Sequence, residues 1–219
     1  MATLAGISVE RVELVMERYG SWRADAVLTA GEPPTGQVTL EVSGLELLGT
    51  VLASGLDSPD RPRAVVVGAP GWERELAAPL SYQSAAGVRL ATVLTDLASR
   101  SGEPIEQPAD VPLGRHFATP GSSRRRRILL RDVLTALATM GHVAPWRVDP
   151  DGVTRFGDRA AEEVSARATE LSRDAGLGRR TLGIDEPAAF LPGALFEGEV
   201  IKRLEVHERQ DKTEAVIWQ

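Results

Sequence analysis

The chain has 219 residues, of which 42% are hydrophobic and 26% charged, and a formal net charge of −6. This composition is typical of soluble globular domains, so we expect one or two folded domains. The chain contains no cysteine, which excludes disulfides, thiolate zinc sites and cysteine nucleophiles. Because no stretch approaches the roughly 20 apolar residues of a membrane span and the first residues do not resemble a secretory signal, we expect no membrane association.

The first third of the chain alternates apolar and polar residues with a period of two, as half-buried β-strands do. Alternating stretches separated by turn-forming residues occur at 9–16, 22–28, 37–42, 45–53 and 63–67. Nothing periodic survives at 54–62, a polar and proline-rich stretch where we expect a loop. Closely spaced short strands of this kind predict a small barrel or sandwich.

The middle of the chain changes to the spacing of amphipathic helices, in which apolar residues recur every three or four positions. One such helix begins near Leu90 and ends near Gly102. A second carries apolar residues from Ile128 to Met140, with Ser122 or Ser123 as its expected cap. Three further elements are predicted: a hairpin at 143–156, a helix at 160–176 based on propensity, and a terminal hairpin at 195–218.

These patterns together predict an α+β fold, in which β-barrel or sandwich-like tube modules carry an inserted helix–strand region. The predicted β-rich, tube-like module covers residues 1–80, and the C-terminal β-hairpin at 185–219 can complete it. The predicted α/β insert covers residues 81–184.

Candidate metal ligands are scattered along the chain. His116, His142 and His207 lie far apart, and none has a second ligand at helical or strand spacing, so we expect isolated imidazoles. Asp149 and Asp151 superficially resemble the opening of a calcium loop, but no third ligand or terminal Glu follows. A hairpin turn is the favoured interpretation, because Asp-Gly is a strong hairpin signal.

Candidate catalytic groups are equally weak. The carboxylate pairs Glu73 with Glu75 and Glu162 with Glu163 are the type of group that glycoside hydrolysis requires, but nothing distinguishes them among 31 acidic residues. The stretch from Gly176 to Arg180 lacks the Lys-Ser/Thr ending of a phosphate loop. We therefore expect no metal, no cofactor and no enzymatic activity.

The most distinctive feature of the sequence is a run of four arginines, Arg124, Arg125, Arg126 and Arg127. Each guanidinium offers a planar set of donors to phosphates or to an acidic partner. Cations at the start of a helix oppose its macrodipole, so helix stability alone does not favour this run. Either a partner contact or a solvated loop explains it. Nucleic acid is an unlikely partner, because the chain is acidic and the run lacks interleaved aromatics.

The order of the segments resembles that of the hub proteins of phage tails and related contractile injection systems. Three stretches carry the resemblance, which covers most of the chain. They are a helix followed by an extended segment from Gly87 to Glu103, a helix followed by a Trp-containing hairpin from Leu129 to Phe156, and a closing hairpin from Leu191 to Trp218.

This resemblance implies a homotrimer in which two tube-like β modules per chain form a pseudo-sixfold ring, which joins a sixfold tail tube to a threefold spike. The implied partners are the tail tube protein, the spike protein and other baseplate proteins. The implied location is the virion, in the tail baseplate, after assembly in the cytoplasm of the bacterial host. Such a role is mechanical and involves no catalysis.

Two alternatives from other classes remain open. One is an adaptor that binds an acidic partner or nucleic acid through Arg124–Arg127, in which case association is salt-sensitive. The other is a tail-associated cell-wall hydrolase that works through two carboxylates and requires a cleft with a carboxyl of raised pKa.

Overall fold

The computed structural model of the protein describes residues 1–58, 61–119, 121–123, 126–209 and 212–219. Within these residues there are two α-helices, α1 (Leu90–Ser101) and α2 (Leu130–Thr139), and neither has the length and apolar character needed to cross a membrane. The strands of the described residues are β1 (Thr3–Leu4), β2 (Ile7–Glu17), β3 (Arg23–Leu28), β4 (Gly36–Val42), β5 (Leu45–Ser58), β6 (Arg61–Val67), β7 (Ser81–Gln83), β8 (His116–Ala118), β9 (Trp146–Val148), β10 (Thr154–Phe156), β11 (Ala168–Asp174), β12 (Arg179–Ile184), β13 (Leu195–Phe196), β14 (Glu199–Val200), β15 (Arg203–Arg209) and β16 (Lys212–Trp218).

The residues group into two compact units. Unit 1 comprises Met1–Gly68, Pro150–Gly152 and Asp158–Gln219, and unit 2 comprises Ala69–Asp149 and Val153–Gly157. The described residues are mostly β, with the two helices in unit 2. The α+β class, the inserted region and the predicted domain boundaries at residues 80 and 184 stay predictions.

Unit 1 contains a closed six-stranded barrel. Its strands are hydrogen-bonded in the order β1–β4–β5–β6–β3–β2, and an additional pairing of β1 with β2 closes the ring. Each pairing around this ring is antiparallel. Alternating apolar side chains of these strands fill the interior, as they do in small barrels. The β-barrel predicted from the sequence is therefore confirmed.

The sheet of the barrel continues beyond β2 into a four-stranded extension, in the order β15–β16–β12–β11. One edge of β2 pairs with β3, and the other edge is shared by two strands. On that second edge β1 pairs with Ile7 and Ser8, and β15 pairs with residues 11–17. β15 and β16 form the predicted terminal hairpin, with Arg203 opposite Trp218. Barrel and extension are thus parts of one continuous sheet.

The loop predicted at residues 54–62 is wrong, because β5 continues to Ser58 and β6 begins at Arg61. The intervening residues 59 and 60 lie outside the described part of the chain. The register of this hairpin shifts between Val51 and Ala53 and again between Leu56 and Ser58. Such irregularities interrupt the alternation of faces while the strand continues, which explains the loss of the period-two pattern.

The helix predicted at residues 160–176 is also wrong. Ala168–Asp174 forms β11, which pairs antiparallel with β12. Helix propensity is a weak prior, and this stretch has only a thin apolar face to bury as a helix. Pairing with an existing sheet outweighs the propensity.

Unit 2 places its helices against a single turn of 3₁₀ helix at Pro70–Glu73. This turn carries Trp72, which is fully buried and donates from Nε1 to Oγ1 of Thr154 at 2.8 Å. A short antiparallel pair, β7–β8, and a hairpin, β9–β10, complete the unit. The hairpin predicted at 143–156 is therefore confirmed.

Helix α1 is capped at both ends. Its last turn closes at Gly102, which has φ 76° and donates its N–H to the carbonyl of Ala98, as the sequence predicts. At its start the carboxylate of Asp110 accepts the N–H of Ala91 at 3.0 Å and the Nε of Arg89 at 2.8 Å. These two interactions lower the pKa of Asp110 below its ordinary value.

The predicted serine cap of α2 is wrong. Leu129 occupies the N-cap position, and its N–H is accepted by Oδ2 of Asp132 at 2.8 Å. Ser122 instead accepts the N–H of Ile128 at 2.8 Å and so fixes the chain before the helix. An acidic residue in the first turn suits the helix dipole, which supports this arrangement.

Candidate assembly surfaces

Two stretches of the unit 1 sheet pair on one side only within the described residues. β4 covers β5 as far as Val51, so Leu52–Ser58 pairs with β6 alone. β11 is the last strand in the order of the sheet and pairs with β12 alone. An unpaired strand edge presents N–H and C=O groups that another chain can bind. We call Leu52–Ser58 and Ala168–Asp174 the two open edges.

Exposed leucines accompany both open edges. Leu52 and Leu56 of β5 are 58% and 66% exposed, and Leu171 of β11 is 50% exposed. Leu177, in the turn that follows β11, is 66% exposed. Exposed large apolar side chains concentrated at unpaired edges are typical of surfaces that associate.

The arginine run lies on the surface of unit 2 where the structure describes it. Arg124 and Arg125 lie outside the described residues. Arg126 is exposed and has no carboxylate within ion-pair distance among the described residues. Arg127 is 72% exposed and forms an ion pair of 3.0 Å with Glu75.

The two units differ in charge. Unit 2 has eleven arginines, no lysine and eight acidic residues, a net charge of +3. Unit 1 has fourteen basic and twenty-three acidic residues, a net charge of −9. All eight carboxylates of unit 2 are bound within the unit, six by arginines and two by backbone N–H groups. The excess positive charge of unit 2 is therefore carried by arginines.

Asp149, the first residue of the apparent calcium loop, is buried in an ion-pair network. Arg147 donates to its two oxygens at 2.9 and 3.1 Å, and Arg155 donates at 3.0 Å. Both carboxylate oxygens are thus occupied by guanidinium groups. Asp151 and Gly152 lie between β9 and β10, so the hairpin-turn interpretation is confirmed.

The three histidines are not brought together with other ligands. Nε2 of His116 lies 3.3 Å from the Ser81 hydroxyl, and Nε2 of His207 lies 3.7 Å from the Glu205 carboxylate. Across the described ranges, no group of three or more His, Asp or Glu side chains is arranged to hold a metal ion.

One of the two candidate pairs of catalytic carboxylates is engaged in ion pairs. Glu73 and Glu75 bind Arg131 and Arg127, respectively. The stretch from Gly176 to Arg180 covers the end of the β11–β12 turn and the start of β12, and the Asp174 carboxylate accepts the N–H of Gly176 at 3.0 Å.

Glu162 and Glu163 lie along a groove in unit 1 that sequence reasoning missed. Apart from these carboxylates and Arg159, the groove is lined by small or apolar residues and Ser165, and its volume is about 340 Å³. An isolated parallel bridge between Glu163 and Leu195 joins its two sides. We call it the alanine groove, after Ala160, Ala188, Ala189 and Ala194.

Comparisons with known proteins give matches in structure alone. No protein-family model matches the chain, and no curated protein matches its sequence. The structure is similar to that of E. coli c3393, a component of the type VI secretion system with structural similarity to the T4 bacteriophage tail proteins gp27 and gp5. That match has a TM-score of 0.65 and 13% identity, and covers 99% of this chain and 75% of c3393.

A second similar structure is the 43 kDa tail protein of prophage MuSo2 from Shewanella oneidensis. It has a TM-score of 0.60 and 11% identity, and the match covers 99% of this chain and 96% of that protein. At identities this low, the structural similarity establishes the fold alone, and function has to be argued from the site. The resemblance seen in the sequence is confirmed at that level: the chain has the fold of phage tail proteins and of a type VI secretion component.

Proposed function

We propose that the chain is a structural subunit of a phage-tail-like assembly. The observation that carries this proposal is the pair of open edges with their exposed leucines, one on β5 and one on β11 of the same sheet in unit 1. The shared fold, which extends over 99% of the chain in two tail or secretion proteins, supports it.

Each open edge spans seven residues, Leu52–Ser58 on β5 and Ala168–Asp174 on β11. When the β5 edge of one copy pairs with the β11 edge of the next, the sheet continues from chain to chain and the leucines leave water. Such a contact uses two different surfaces, and contacts of that type close into rings when the rotation fits. A ring is the form that a tail tube requires.

Within such an assembly we propose the role of hub. A homotrimer of this chain would join the tail tube protein to the spike protein, beside other baseplate proteins, in the virion. We propose no catalytic role, because the carboxylates of Glu73 and Glu75 are bound by arginines and the groove that carries Glu162 and Glu163 is lined mainly by small or apolar residues.

The test is the molar mass of the full chain in solution, measured by light scattering over a range of concentrations. We expect a trimer, and we expect the substitutions Leu56→Lys and Leu171→Lys each to weaken association on the order of tenfold, because burying a leucine contributes roughly 2 kcal/mol. Circular dichroism checks that the variants fold.

Met140→Lys is the matched control, since Met140 is 52% exposed and belongs to unit 2, whereas both open edges belong to unit 1. A wild-type monomer at every concentration, or edge variants that associate like the wild type, would contradict the structural proposal. A stable oligomer other than a trimer that the edge variants still weaken would contradict the hub role alone.

A further inference from the structure

The proposed pairing of the open edges gives no role to the arginine run or to the alanine groove. The run belongs to unit 2, whose own carboxylates are all bound within the unit. Arg126 has no carboxylate partner among the described residues, and of the run only Arg127 is seen in an ion pair, with Glu75. Unit 2 thus has more arginines than carboxylates, and its carboxylates are already bound. This excess of arginine indicates a partner that supplies carboxylates.

The alanine groove has the complementary chemistry. Glu162 and Glu163 are exposed and form no ion pair among the described residues. The only cation that lines the groove is Arg159 within the described part of the chain, and one of its nitrogens donates to the carbonyl of Pro192 at 2.9 Å. The groove therefore offers an apolar floor beside two carboxylates that are available to a partner.

We propose that the segment Arg124–Arg127 of one copy of the chain docks into the alanine groove of a second copy. Arginine side chains bury their methylene stems on apolar surface while the guanidinium remains at the polar rim. The alanines of the groove would receive the stems, and Glu162 and Glu163 would receive the guanidinium groups in the planar geometry that carboxylates favour.

The observations favour a second copy over a nucleic acid. The chain is acidic overall, which disfavours binding to phosphates. Unit 1 at −9 and unit 2 at +3 supply both halves of a complementary pair on one chain. Run and groove are different surfaces, so the contact joins copies head to tail.

This contact does not depend on the proposed tail role. Edge pairing relies on backbone hydrogen bonds and leucine burial, whereas the run-to-groove contact relies on exposed charges. Raising the salt from about 0.05 M to about 1 M shortens the screening length from more than 10 Å to about 3 Å. We expect the run-to-groove contact to weaken over that range and edge pairing to persist.

The test uses two charge-reversed variants of the full chain in sedimentation-velocity experiments. The run variant carries Arg124→Glu, Arg125→Glu and Arg126→Glu, which leaves the ion pair of Arg127 with Glu75 in place. The groove variant carries Glu162→Arg and Glu163→Arg. We expect each variant alone to associate at least about tenfold more weakly than the wild type, since exposed ion pairs are each worth up to about a fivefold change.

Mixing the two variants decides the question. Where a run variant meets a groove variant, the reversed run faces the reversed groove or the native run faces the native groove, so we expect association in the mixture to rise towards the wild-type level at low salt. Matched controls change the same net charge at exposed positions elsewhere. For the run they are Arg23→Glu, Arg115→Glu and Lys202→Glu, and for the groove Glu32→Arg and Glu46→Arg.

Any one of four results would overturn the proposal. The first is that the run and groove variants associate as strongly as the wild type. The second is that mixing the two variants does not restore association. The third is a loss of the same size in the controls, which would assign the effect to net charge. If the run variant instead loses binding to a duplex DNA probe that the wild type binds, the partner is a nucleic acid and the proposal is wrong. Failure of this proposal leaves the effects of Leu56→Lys and Leu171→Lys unchanged.

Discussion

Two fully buried tryptophans stabilise their units in different ways. Trp22, in the barrel of unit 1, is 1% exposed, and its Nε1 has no hydrogen-bond acceptor among the described residues. Its indole lies against Gly49 and Gly68, and a Cβ at Gly49 would come within 2.6 Å of the ring. Trp72, in unit 2, donates its N–H to Thr154.

Each unit therefore achieves a unique core by different interactions. In the barrel, the unpaired indole N–H costs free energy, which close packing offsets because two glycines let the ring fill the interior. The specificity of the barrel core therefore rests on shape. Unit 2 is organised by buried polar contacts, Trp72 with Thr154 and Asp149 with Arg147. Changes of volume should therefore damage the barrel, and loss of polar partners should damage unit 2.

The largest effect is expected from Asp149→Ala in unit 2. Removing this carboxylate leaves Arg147 buried without its partner, which costs about 3–5 kcal/mol in the free energy of unfolding. Urea denaturation of the full chain measures the loss. Asp185→Ala, at an exposed carboxylate without an ion pair among the described residues, is the control and should change stability little. A loss below 1 kcal/mol at Asp149 would show that unit 2 does not depend on this network.

A smaller effect is expected from Gly68→Ala in the barrel. The added methyl group would overlap the indole of Trp22, and overpacking of a close-packed core costs roughly 1–3 kcal/mol. The loss of near-UV circular dichroism from the tryptophan reports the displaced ring. Gly55→Ala is the matched control, because a Cβ there meets no atom within 4 Å. Equal stability of the two variants would argue against a shape-defined core.

The smallest effect is expected from Thr154→Val in unit 2. Valine keeps the shape of threonine but removes the acceptor of the Trp72 N–H, at a cost of about 1 kcal/mol. Thermal unfolding followed by tryptophan fluorescence measures it, with Thr95→Val on the exposed face of α1 as control. If Thr154→Val is neutral, the two tryptophans are held alike and the contrast between the units fails.

Much of the fold could be predicted because its longer elements carry a clear period. The alternation from Val9 to Met16 predicts β2, and the spacing from Leu90 to Ala98 predicts α1. Closure of the barrel could not be predicted, since the closing strand is only Thr3–Leu4, too short to show any pattern. β11 was mistaken for a helix because its alanine and glutamate favour helices locally, whereas its pairing partner lies at 179–184.

The assembly surfaces could be predicted only in part. The arginine run is visible in the sequence, but the alanine groove forms from two segments, near Glu163 and Leu195, that only the fold brings together. The open edges had one signal that sequence reasoning missed. Leu52, Leu56, Leu171 and Leu177 are large apolar residues set among polar and small neighbours, where burial gives no reason for them.

β2 belongs to the barrel and to the extension at once, and this has a mechanical consequence. Seven residue pairs join β2 to β15, but only two join β2 to β1. A force on the extension passes along β2 directly into the barrel wall, with no hinge between them. We expect the wall to yield first at β1, which is joined to β2 and to β4 by two residue pairs each, because the element with the fewest pairs opens at the lowest free energy. Under load, the barrel would unroll at β1 before the extension tears away.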